Sequence, residues 1–276
     1  MPLVNLNDVL GPARKGNYAV GAFDFMEPWM ALGILQAAEE MQYPVILMVP
    51  DSPRGSENLD LLAASVLTMA KKSSVPVVLH LDHGKSPEMC QRCLDLGFSS
   101  IMIDASTLPF EENIKMVKEV VALCKPRFIP VEAELGHVGR GSDYNLDEYK
   151  YTDPEEAEEF VKATGVDALA VAVGNAHGVY KGDPKINYPV LEKLLKVVPV
   201  PLVLHGSSGI SDGDFIKMVS MGLTKLNFFT ELFMESNNRL RALENDKLTA
   251  FTALEAIHTG FKDKTMEKMK LFGMKK

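Results

Sequence analysis

Eight short apolar segments alternate with longer amphipathic segments along the chain, and this alternation restricts the possible folds more than any other feature. The apolar segments are continuously hydrophobic, which is typical of parallel strands that are buried on both faces. They occupy residues 18–24, 44–50, 75–82, 99–106, 128–136, 167–174, 200–206 and 224–230. Eight strand–helix units in succession predict a (β/α)8 TIM barrel of the α/β class rather than a doubly wound sheet.

The segments between the predicted strands have apolar residues at three- and four-residue spacing, which indicates amphipathic helices. One of them carries a start signal, with Thr152 or Asp153 as the N-cap and Pro154 in the first turn. A C-terminal helical extension over about residues 249–271 is predicted to pack outside the barrel. Because the composition does not change along the chain, we expect residues 1–276 to form a single domain.

The overall charge limits the classes of partner. The formal net charge is −8, which argues against binding to nucleic acid or to an anionic membrane surface. An anionic substrate would therefore need local hydrogen-bond donors rather than a general positive field. No signal peptide and no apolar run of membrane length stand out, so a cytoplasmic enzyme is the expectation.

The three cysteines, Cys90, Cys93 and Cys124, do not have the spacing of a disulfide framework. Cys90 and Cys93 form a CxxC motif, but the surrounding sequence PEMCQRCLDLG has the periodicity of a helix. A packing role in that helix is therefore favoured over a redox or zinc-binding role.

Polar residues collect at one end of the predicted strands. In a TIM barrel, the active site is built at the C-terminal ends of the strands. The residues found at or just after those ends are Asp24, Asp82, His83, Asp104, Glu132, Glu134, His177, His205, Asn227 and Thr230. The opposite ends carry prolines and small polar residues, with no comparable cluster. The pattern therefore predicts an active site at the C-terminal mouth of the barrel.

Three of these residues, His83, His177 and His205, are histidines. Three neutral imidazoles are a recognised ligand set for catalytic zinc, and they leave a fourth coordination position open. The alternative is that each histidine bonds to a backbone carbonyl. Because a barrel would bring the three strand ends together, we favour the metal site.

Glycine-rich turns follow the sixth and seventh strands, in GNAHGVYKG and HGSSGISDGD. Backbone N–H groups in such turns, close to a helix N-terminus, can bind a phosphate. TIM barrels frequently carry a phosphate site in this region. The predicted donors are Gly178, Lys181, Gly206, Ser208, Asn227 and Thr230. The alternative is a set of turns that bind no ligand.

Taken together, the motifs HLDHG, MIDAS, VEAELG, AVAVGNAHGVYKG, LVLHGSSG and KLNFFTEL resemble those of the class II, metal-dependent fructose/tagatose-bisphosphate aldolases. They occur in the order found in that family, and the resemblance extends over residues 1–272. It implies a zinc enzyme of carbohydrate metabolism, including glycolysis, that reversibly cleaves a ketose 1-phosphate to dihydroxyacetone phosphate and an aldehyde. It also implies a monovalent cation such as Na⁺ or K⁺ near the phosphate. We further expect a homodimer or homotetramer.

The resemblance assigns a metal site by position. His83, His177 and His205 would be the zinc ligands. Asp104 and Glu134 match carboxylates that can form an alternative metal position when the first is vacated. Cleavage of the C3–C4 bond leaves a negatively charged enediolate, which a zinc ion would stabilise.

The resemblance also assigns the substrate contacts. Asp82 would be the acid/base that takes the proton of the C4 hydroxyl. His80, on the same strand face, is expected to support the site from behind or to belong to the core. The dihydroxyacetone-phosphate site would be formed by Gly178, Ser208, Asn227 and Thr230, with Lys181 near the phosphate.

The chain departs from the family pattern in the part of the site that faces the aldehyde. Asp24 stands where the family has an amide, and Phe229 where relatives carry a small residue or an aspartate. In loop 137–150, Ser142 stands where the family carries the glutamate that protonates the enediolate, with Asp143 adjacent and Glu148 further on. We therefore predict that Asp143 is the loop acid and that Asp24 and Phe229 shape the aldehyde pocket.

These departures leave the substrate open. Fructose 1,6-bisphosphate is the first candidate because it is the commonest substrate of the family, with the tagatose bisphosphate beside it. A ketose phosphate that yields an aldehyde other than glyceraldehyde 3-phosphate is the alternative. Two further alternatives are a metal-dependent phosphosugar epimerase or isomerase, and a non-catalytic barrel that binds a phosphosugar.

Overall fold

In the computed structural model, which describes residues 2–143, 145 and 149–274, eight parallel strands close into a barrel in chain order. The last strand pairs with the first, with Val20 opposite Lys225. The strands are β1 (Val20–Asp24), β2 (Val45–Pro50), β3 (Val77–Gly84), β4 (Ser100–Ile103), β5 (Val131–Leu135), β6 (Ala168–Val171), β7 (Leu202–Leu204) and β8 (Lys225–Phe228). The predicted TIM barrel is therefore confirmed.

Helices follow the strands around the outside of the barrel. Within the described ranges they are α1 (Leu6–Gly16), α2 (Pro28–Met41), α3 (Pro53–Glu57), α4 (Leu59–Ala70), α5 (Pro87–Asp95), α6 (Phe110–Cys124), α7 (Pro154–Thr164), α8 (Tyr188–Val197), α9 (Asp212–Met221), α10 (Thr230–Ala242) and α11 (Ala250–Met269). The predicted C-terminal helix is α11, which packs against α2 and α10. Among the helices described, none combines the length and apolar character needed to cross a membrane.

Helix α7 begins as its sequence indicates. The side chain of Asp153, one of the two predicted N-caps, accepts hydrogen bonds from the backbone N–H groups of Glu155 and Glu156. Pro154 occupies the first helical position, where its missing N–H costs no hydrogen bond. The cap therefore fixes where α7 begins after loop 137–150.

Helix α1 precedes the first strand and was not predicted. Its buried residues include Leu6 and Leu10, which join an apolar cluster with the inward-facing Val20, Val78 and Ala168 of the barrel. The segment before α1 also hydrogen-bonds to the start of β3. The apolar face of α1 therefore closes the N-terminal end of the barrel, and the polar residues are left at the other end.

Cys90 and Cys93 are packing residues of a helix, as predicted. Cys90 and Cys93 lie on α5 and Cys124 on α6, and all three are fully buried. Burial raises the pKa of both Cys90 and Cys124 to about 12, so these thiols are protonated at neutral pH.

Candidate active site

Strand β3 ends irregularly, and this irregularity builds the centre of the site. Its register against β4 shifts between Leu81 and Gly84, and His83 has a φ of 48°, in the left-handed region. Neighbouring residues of a regular strand point to opposite faces, whereas Asp82 and His83 here line the same cavity. A strained backbone at a non-glycine residue is often found at functional sites. The side-by-side placement of Asp82 and His83 thus depends on this irregularity.

The imidazoles of His83, His177 and His205 converge at the mouth of the barrel. The Nε2 atom of His83 lies 3.1 Å from Nε2 of His177 and 2.9 Å from Nδ1 of His205. Ligands of a tetrahedral zinc ion sit about 2.1 Å from the metal, which places pairs of ligand nitrogens about 3.4 Å apart. The three nitrogens therefore fit one shared metal ion.

The other ring nitrogens of His83 and His177 are held by groups that fix the tautomer. The carbonyl oxygen of Val138 lies 3.0 Å from His177 Nδ1 and can only accept, so Nδ1 carries the proton and Nε2 keeps its lone pair. The Asp104 carboxylate lies 2.8 Å from His83 Nδ1 and plays the same part. When both rings are neutral, each therefore presents a free lone pair to the common point.

A buried ion pair holds the third imidazole. Glu132 Oε1 lies 2.9 Å from His205 Nε2, and Glu132 Oε2 lies 2.8 Å from Lys225 Nζ. Glu132 and Lys225 are fully buried inside the barrel, so each offsets the charge of the other. His80, which bonds to the Ser100 hydroxyl, lies beside this pair as a core residue. The donor set of three imidazoles with fixed tautomers fits zinc.

Neither the contact of Glu132 with His205 nor the buried pairing of Lys225 with Glu132 was predicted from the sequence. One signal was available for Glu132, because it precedes Glu134 by two residues on β5 and therefore faces the interior. A carboxylate inside a barrel needs a partner of opposite charge. The only lysine within a predicted strand segment is Lys225, at the start of the eighth.

Carboxylates surround His83. Burial alone would lower its pKa, but Asp82, Asp104 and Glu134 raise it to about 10. The same negative field would favour a metal cation at this point. Burial and then His83 lower the pKa of His177 to about 4, which keeps that ring neutral. Ligand atoms of His83, Asp104 and Glu134 also lie within 4.8 Å of one another, in line with the predicted alternative metal position.

Asp82 is placed to act on a ligand beside the histidines. Its Oδ2 lies 3.9 Å from His83 Nε2, and its Oδ1 accepts a hydrogen bond of 3.1 Å from Asn227 Nδ2. Burial raises the pKa of Asp82 above its ordinary value, which makes its carboxylate a better base than an exposed one. Asn227 therefore orients Asp82, in addition to its predicted place among the ligand donors.

A cavity of about 160 Å³ surrounds these groups and has two chemically different walls. The wall that we call the glycine half is formed by Gly178, Gly206, Ser207, Ser208 and Thr230. The other wall, which we call the carboxylate half, is formed by Asp24, Pro50, Asp82 and Phe229, the first three of which lie in β1, β2 and β3. The three histidines line the same cavity.

The glycine half offers hydrogen-bond donors. Within the described chain, the N–H groups of Gly178, Ser207 and Ser208 donate to no backbone or side-chain acceptor. The Ser208 hydroxyl accepts from the N–H of Glu231 and so keeps its own hydrogen for a ligand. Helix α10 begins at Thr230 and adds the positive end of its dipole. This half is therefore suited to an anion.

Gly206 shows why this wall needs glycine. Its φ is 61°, and a Cβ atom there would lie 2.2 Å from the carbonyl oxygen of Ala176. The adjoining Asn175 holds the same turn, because its side-chain amide donates to the carbonyl of His205 and accepts from the N–H of Val173. No local pattern pointed to this role of Asn175, since its hydrogen-bond partners are set by loop geometry.

Two predicted site residues lie neither in the cavity nor beside His83. Lys181 is exposed, and its backbone N–H donates to Gly141. Asp143 is also exposed, in a neighbouring pocket with His137 and Arg140. Tyr144 and residues 146–148, including Glu148, lie outside the described residues. The roles assigned to Lys181 and Asp143 therefore stay predictions. The remaining predicted residues lie in the cavity or, for Asp104 and Glu134, beside His83.

Comparison with known families and proteins gives a consistent result. The family model described as "Fructose-bisphosphate aldolase class-II" matches residues 4–276. The chain is similar to the 6-phospho-5-dehydro-2-deoxy-D-gluconate aldolase of Bacillus licheniformis, with 38% identity over 99% of this chain and 96% of that protein. It is also similar to the fructose-bisphosphate aldolase of Geobacillus stearothermophilus, with 43% identity over 84% and 82%.

A solved structure extends the comparison to the fold. The crystal structure of the YdjI aldolase from Escherichia coli K12 superposes with a TM-score of 0.89. The two sequences are 39% identical, and the match covers 98% of this chain and 97% of the other.

Proposed function

The chain belongs to the class II fructose-bisphosphate aldolase family, and from this premise we propose that it is a zinc-dependent aldolase that reversibly cleaves a ketose 1-phosphate. Membership makes the chain a C–C lyase of a metal-dependent family. The proposed products are dihydroxyacetone phosphate and an aldehyde. The observation that carries the proposal is the convergence of His83, His177 and His205 on one point beside Asp82.

The proposed metal is zinc, held by the three imidazoles, and bound there it would supply a Lewis acid that polarises a carbonyl group. Asp82 removes the proton of the C4 hydroxyl as the C3–C4 bond breaks, and returns it in the reverse direction. Asn227 holds Asp82 in place through Oδ1. The second proton transfer, at C3, is assigned to Asp143, which would have to move from its neighbouring pocket to reach the substrate.

The glycine half is proposed to hold the C1 phosphate. The free N–H groups of Gly178, Ser207 and Ser208 support this assignment, as does the start of α10 at Thr230. Lys181 and a monovalent cation, Na⁺ or K⁺, are predicted to lie near the same phosphate. A phosphate held here anchors the ketose so that its carbon chain crosses the histidines toward the carboxylate half.

Fructose 1,6-bisphosphate and tagatose 1,6-bisphosphate remain the first substrates to test. The similar proteins are named for different substrates, one for fructose bisphosphate and one for a phosphorylated deoxygluconate. The family match over residues 4–276 supports a single domain. A cytoplasmic location and a homodimeric or homotetrameric assembly remain predictions.

The test is a coupled assay for dihydroxyacetone phosphate release, made on the purified protein with its metal content measured. We expect bound zinc, loss of activity on chelation and recovery when zinc is added back. The His205→Ala variant should lose most of both metal and activity. Full activity in a chelator-treated, metal-free sample would contradict the zinc mechanism.

The same assay distinguishes the aldolase from the two alternatives, a phosphosugar epimerase or isomerase and a non-catalytic binding barrel. A phosphosugar epimerase or isomerase needs a second acid/base, and Asp24, a further buried carboxyl in the cavity, is the observation that favours it. Such an enzyme would convert the ketose without releasing dihydroxyacetone phosphate. A non-catalytic binding barrel would bind the ketose phosphate and convert nothing.

A further inference from the structure

The carboxylate half has few donors for an anion. Pro50, at the end of β2, has no backbone N–H. The N–H of Asp51 donates to the carbonyl of Asp82 at 2.9 Å, and the N–H of Ser52 donates to the carbonyl of Pro50 at 2.8 Å. The backbone at the tip of β2 therefore has no free donor to turn toward a ligand.

The nearby donors are taken by a carboxylate of the chain itself. The Asp51 side chain accepts from the Ser56 hydroxyl at 2.7 Å and from the N–H of Lys85 at 3.0 Å. These are the kinds of groups that would otherwise bind a phosphate at this position. Within the described part of the chain, the residues that line the cavity include no lysine or arginine.

Asp24 offers the opposite chemistry. It is 4% exposed at the end of β1, it lines the cavity, and its carboxyl has no hydrogen-bond partner in the described part of the chain. A buried acceptor without a donor is costly, and a ligand hydroxyl that donates to it removes that cost. A phosphate dianion has no hydrogen to donate to this carboxyl, and within the described chain no lysine or arginine lines the cavity to balance its charge.

Phe229 forms the apolar part of the same wall. Its ring is 37% exposed and stacks on Phe233 with 4.4 Å between the ring centroids. The stacking holds the ring in place over the cavity. Carbon atoms of a sugar chain pack well against such a face, whereas a phosphate there would lose water and gain no hydrogen bond.

We propose that the ketose substrate carries a single phosphate, at C1, and that its aldehyde fragment is an uncharged, hydroxylated chain with one hydroxyl donating to Asp24. The inference rests on the proposed function and narrows it. The glycine half holds the only phosphate, and the carboxylate half selects the hydroxylated end. Phosphorylated and carboxylated aldehydes are both excluded as preferred partners.

The experiment compares matched ketoses in the release assay with the zinc-loaded protein. The pairs are fructose 1-phosphate with fructose 1,6-bisphosphate, and tagatose 1-phosphate with tagatose 1,6-bisphosphate. Each pair shares every stereocentre, so the ratio of kcat/KM reports the second phosphate alone. Because a phosphate at this wall would lose water without gaining a cation in exchange, we expect the monophosphate to be favoured about 100-fold. Equal use of both members, or preference for the bisphosphate, would overturn the inference.

The reverse reaction, aldol condensation, tests whether a carboxylated aldehyde is accepted. Dihydroxyacetone phosphate is condensed with glyceraldehyde, glyceraldehyde 3-phosphate or malonate semialdehyde. The expected order places glyceraldehyde first, and faster reaction of either charged aldehyde would overturn the inference.

Variants test the part played by Asp24. Asp24→Asn keeps the size of the side chain and adds an amide N–H that can donate to a phosphate, so it should reduce the preference for the monophosphate by about tenfold. Asp246→Asn, at an exposed carboxylate in a turn after α10, is the matched control and should leave the ratio unchanged. An unchanged ratio in Asp24→Asn would overturn the role of Asp24.

Proton exchange at C3 of dihydroxyacetone phosphate separates this inference from the proposed function, because the exchange needs no aldehyde. Exchange together with a preference for charged aldehydes overturns the inference and leaves the aldolase. Absence of both exchange and cleavage with every ketose overturns both.

Discussion

The glycine half and the carboxylate half belong to one cavity but have opposite hydrogen-bonding character. The glycine half presents backbone N–H groups of Gly178, Ser207 and Ser208 that have no acceptor in the described chain. The carboxylate half presents Asp24, whose carboxyl has no hydrogen-bond partner in the described chain, and the backbone donors at the tip of β2 are used within the fold. A ligand with an anionic end and hydroxyls would be oriented by its own polarity, with the anionic end in the glycine half and the hydroxyls in the carboxylate half. The difference teaches that one barrel can present donors after β6, β7 and β8 and acceptors mainly at the ends of β1, β2 and β3.

The largest effect is expected at Asp82, where the carboxylate half meets the histidines. Asp82→Asn keeps the shape and removes the base, so kcat for cleavage should fall by about 10²–10⁴-fold. Zinc content and ketose binding should stay close to those of the parent. Single-turnover release of dihydroxyacetone phosphate measures the loss.

Asp24→Asn is the matched control for Asp82→Asn, since it makes the same change in the same wall. Its kcat for cleavage of the preferred ketose should stay within about tenfold of the parent, because Asp24 binds and does not transfer the proton. If Asp82→Asn raises only KM, Asp82 is a binding residue and the assignment of the base is wrong.

The second-largest effect is expected at the buried ion pair of Glu132 and Lys225, where Glu132 holds His205. Glu132→Gln should weaken zinc binding by about 10–100-fold, the usual cost of losing a group that orients a metal ligand. The reason is that the neutral amide no longer balances Lys225 and holds His205 less firmly. Competition with a chromogenic chelator measures the affinity.

Thermal unfolding of the metal-free protein shows whether Glu132→Gln acts only through stability. The double variant Glu132→Gln with Lys225→Met removes the uncompensated charge and should recover stability but not zinc affinity. Unchanged zinc affinity in the single variant would contradict the positioning role of Glu132.

In the glycine half, Ser208→Ala should raise KM for the ketose about tenfold with little change in kcat. The lost hydroxyl is a donor to a charged group, and such a hydrogen bond contributes about 1.5–3 kcal/mol. Ser220→Ala, whose hydroxyl donates to a helix carbonyl on α9, is the control. A fall in kcat at constant KM would mean that Ser208 acts in the transition state instead.

The smallest effect on binding is expected at Gly178. A Cβ atom there would meet nothing within 4 Å, so Gly178→Ala should change KM less than about threefold while the backbone N–H is kept. Its φ of 86° should still cost about 1–2 kcal/mol of unfolding free energy. Gly206→Ala, where a Cβ would lie 2.2 Å from a carbonyl oxygen, is the contrast and should be far less stable. Similar stability of the two variants would contradict this account of the wall.

The barrel and the cluster of strand-end residues could be predicted because both follow from local patterns. Continuous apolar runs identify buried parallel strands, and closure brings the C-terminal ends of all eight strands together. His83, His177 and His205 each end or follow a different strand, so their meeting needed only the fold. The same reasoning placed Asp24 at this mouth, whereas Phe229 was assigned to the pocket from the resemblance to the family; both residues line the cavity.

Other contacts depend on geometry that no local pattern encodes. Glu132 and Lys225 are 93 residues apart, and their pairing depends on the register of β5 and β8 across the barrel interior. Lys181 and Asp143 were assigned by motif position in loops, where no periodicity fixes the direction of a side chain. Helix α1 was missed because it precedes the first strand–helix unit and its apolar face is short.

The three histidines are oriented by groups that belong to the fold: a carboxylate at the end of β4, a backbone carbonyl after β5 and the buried Glu132. The rotamer entropy of all three rings is therefore lost when the chain folds, before any cation arrives. The metal-free protein is a preorganised receptor, and capture of the ion requires little rearrangement of the chain. Loading should then be fast and repeatable in a folded sample, so that maturation of the enzyme needs no refolding step.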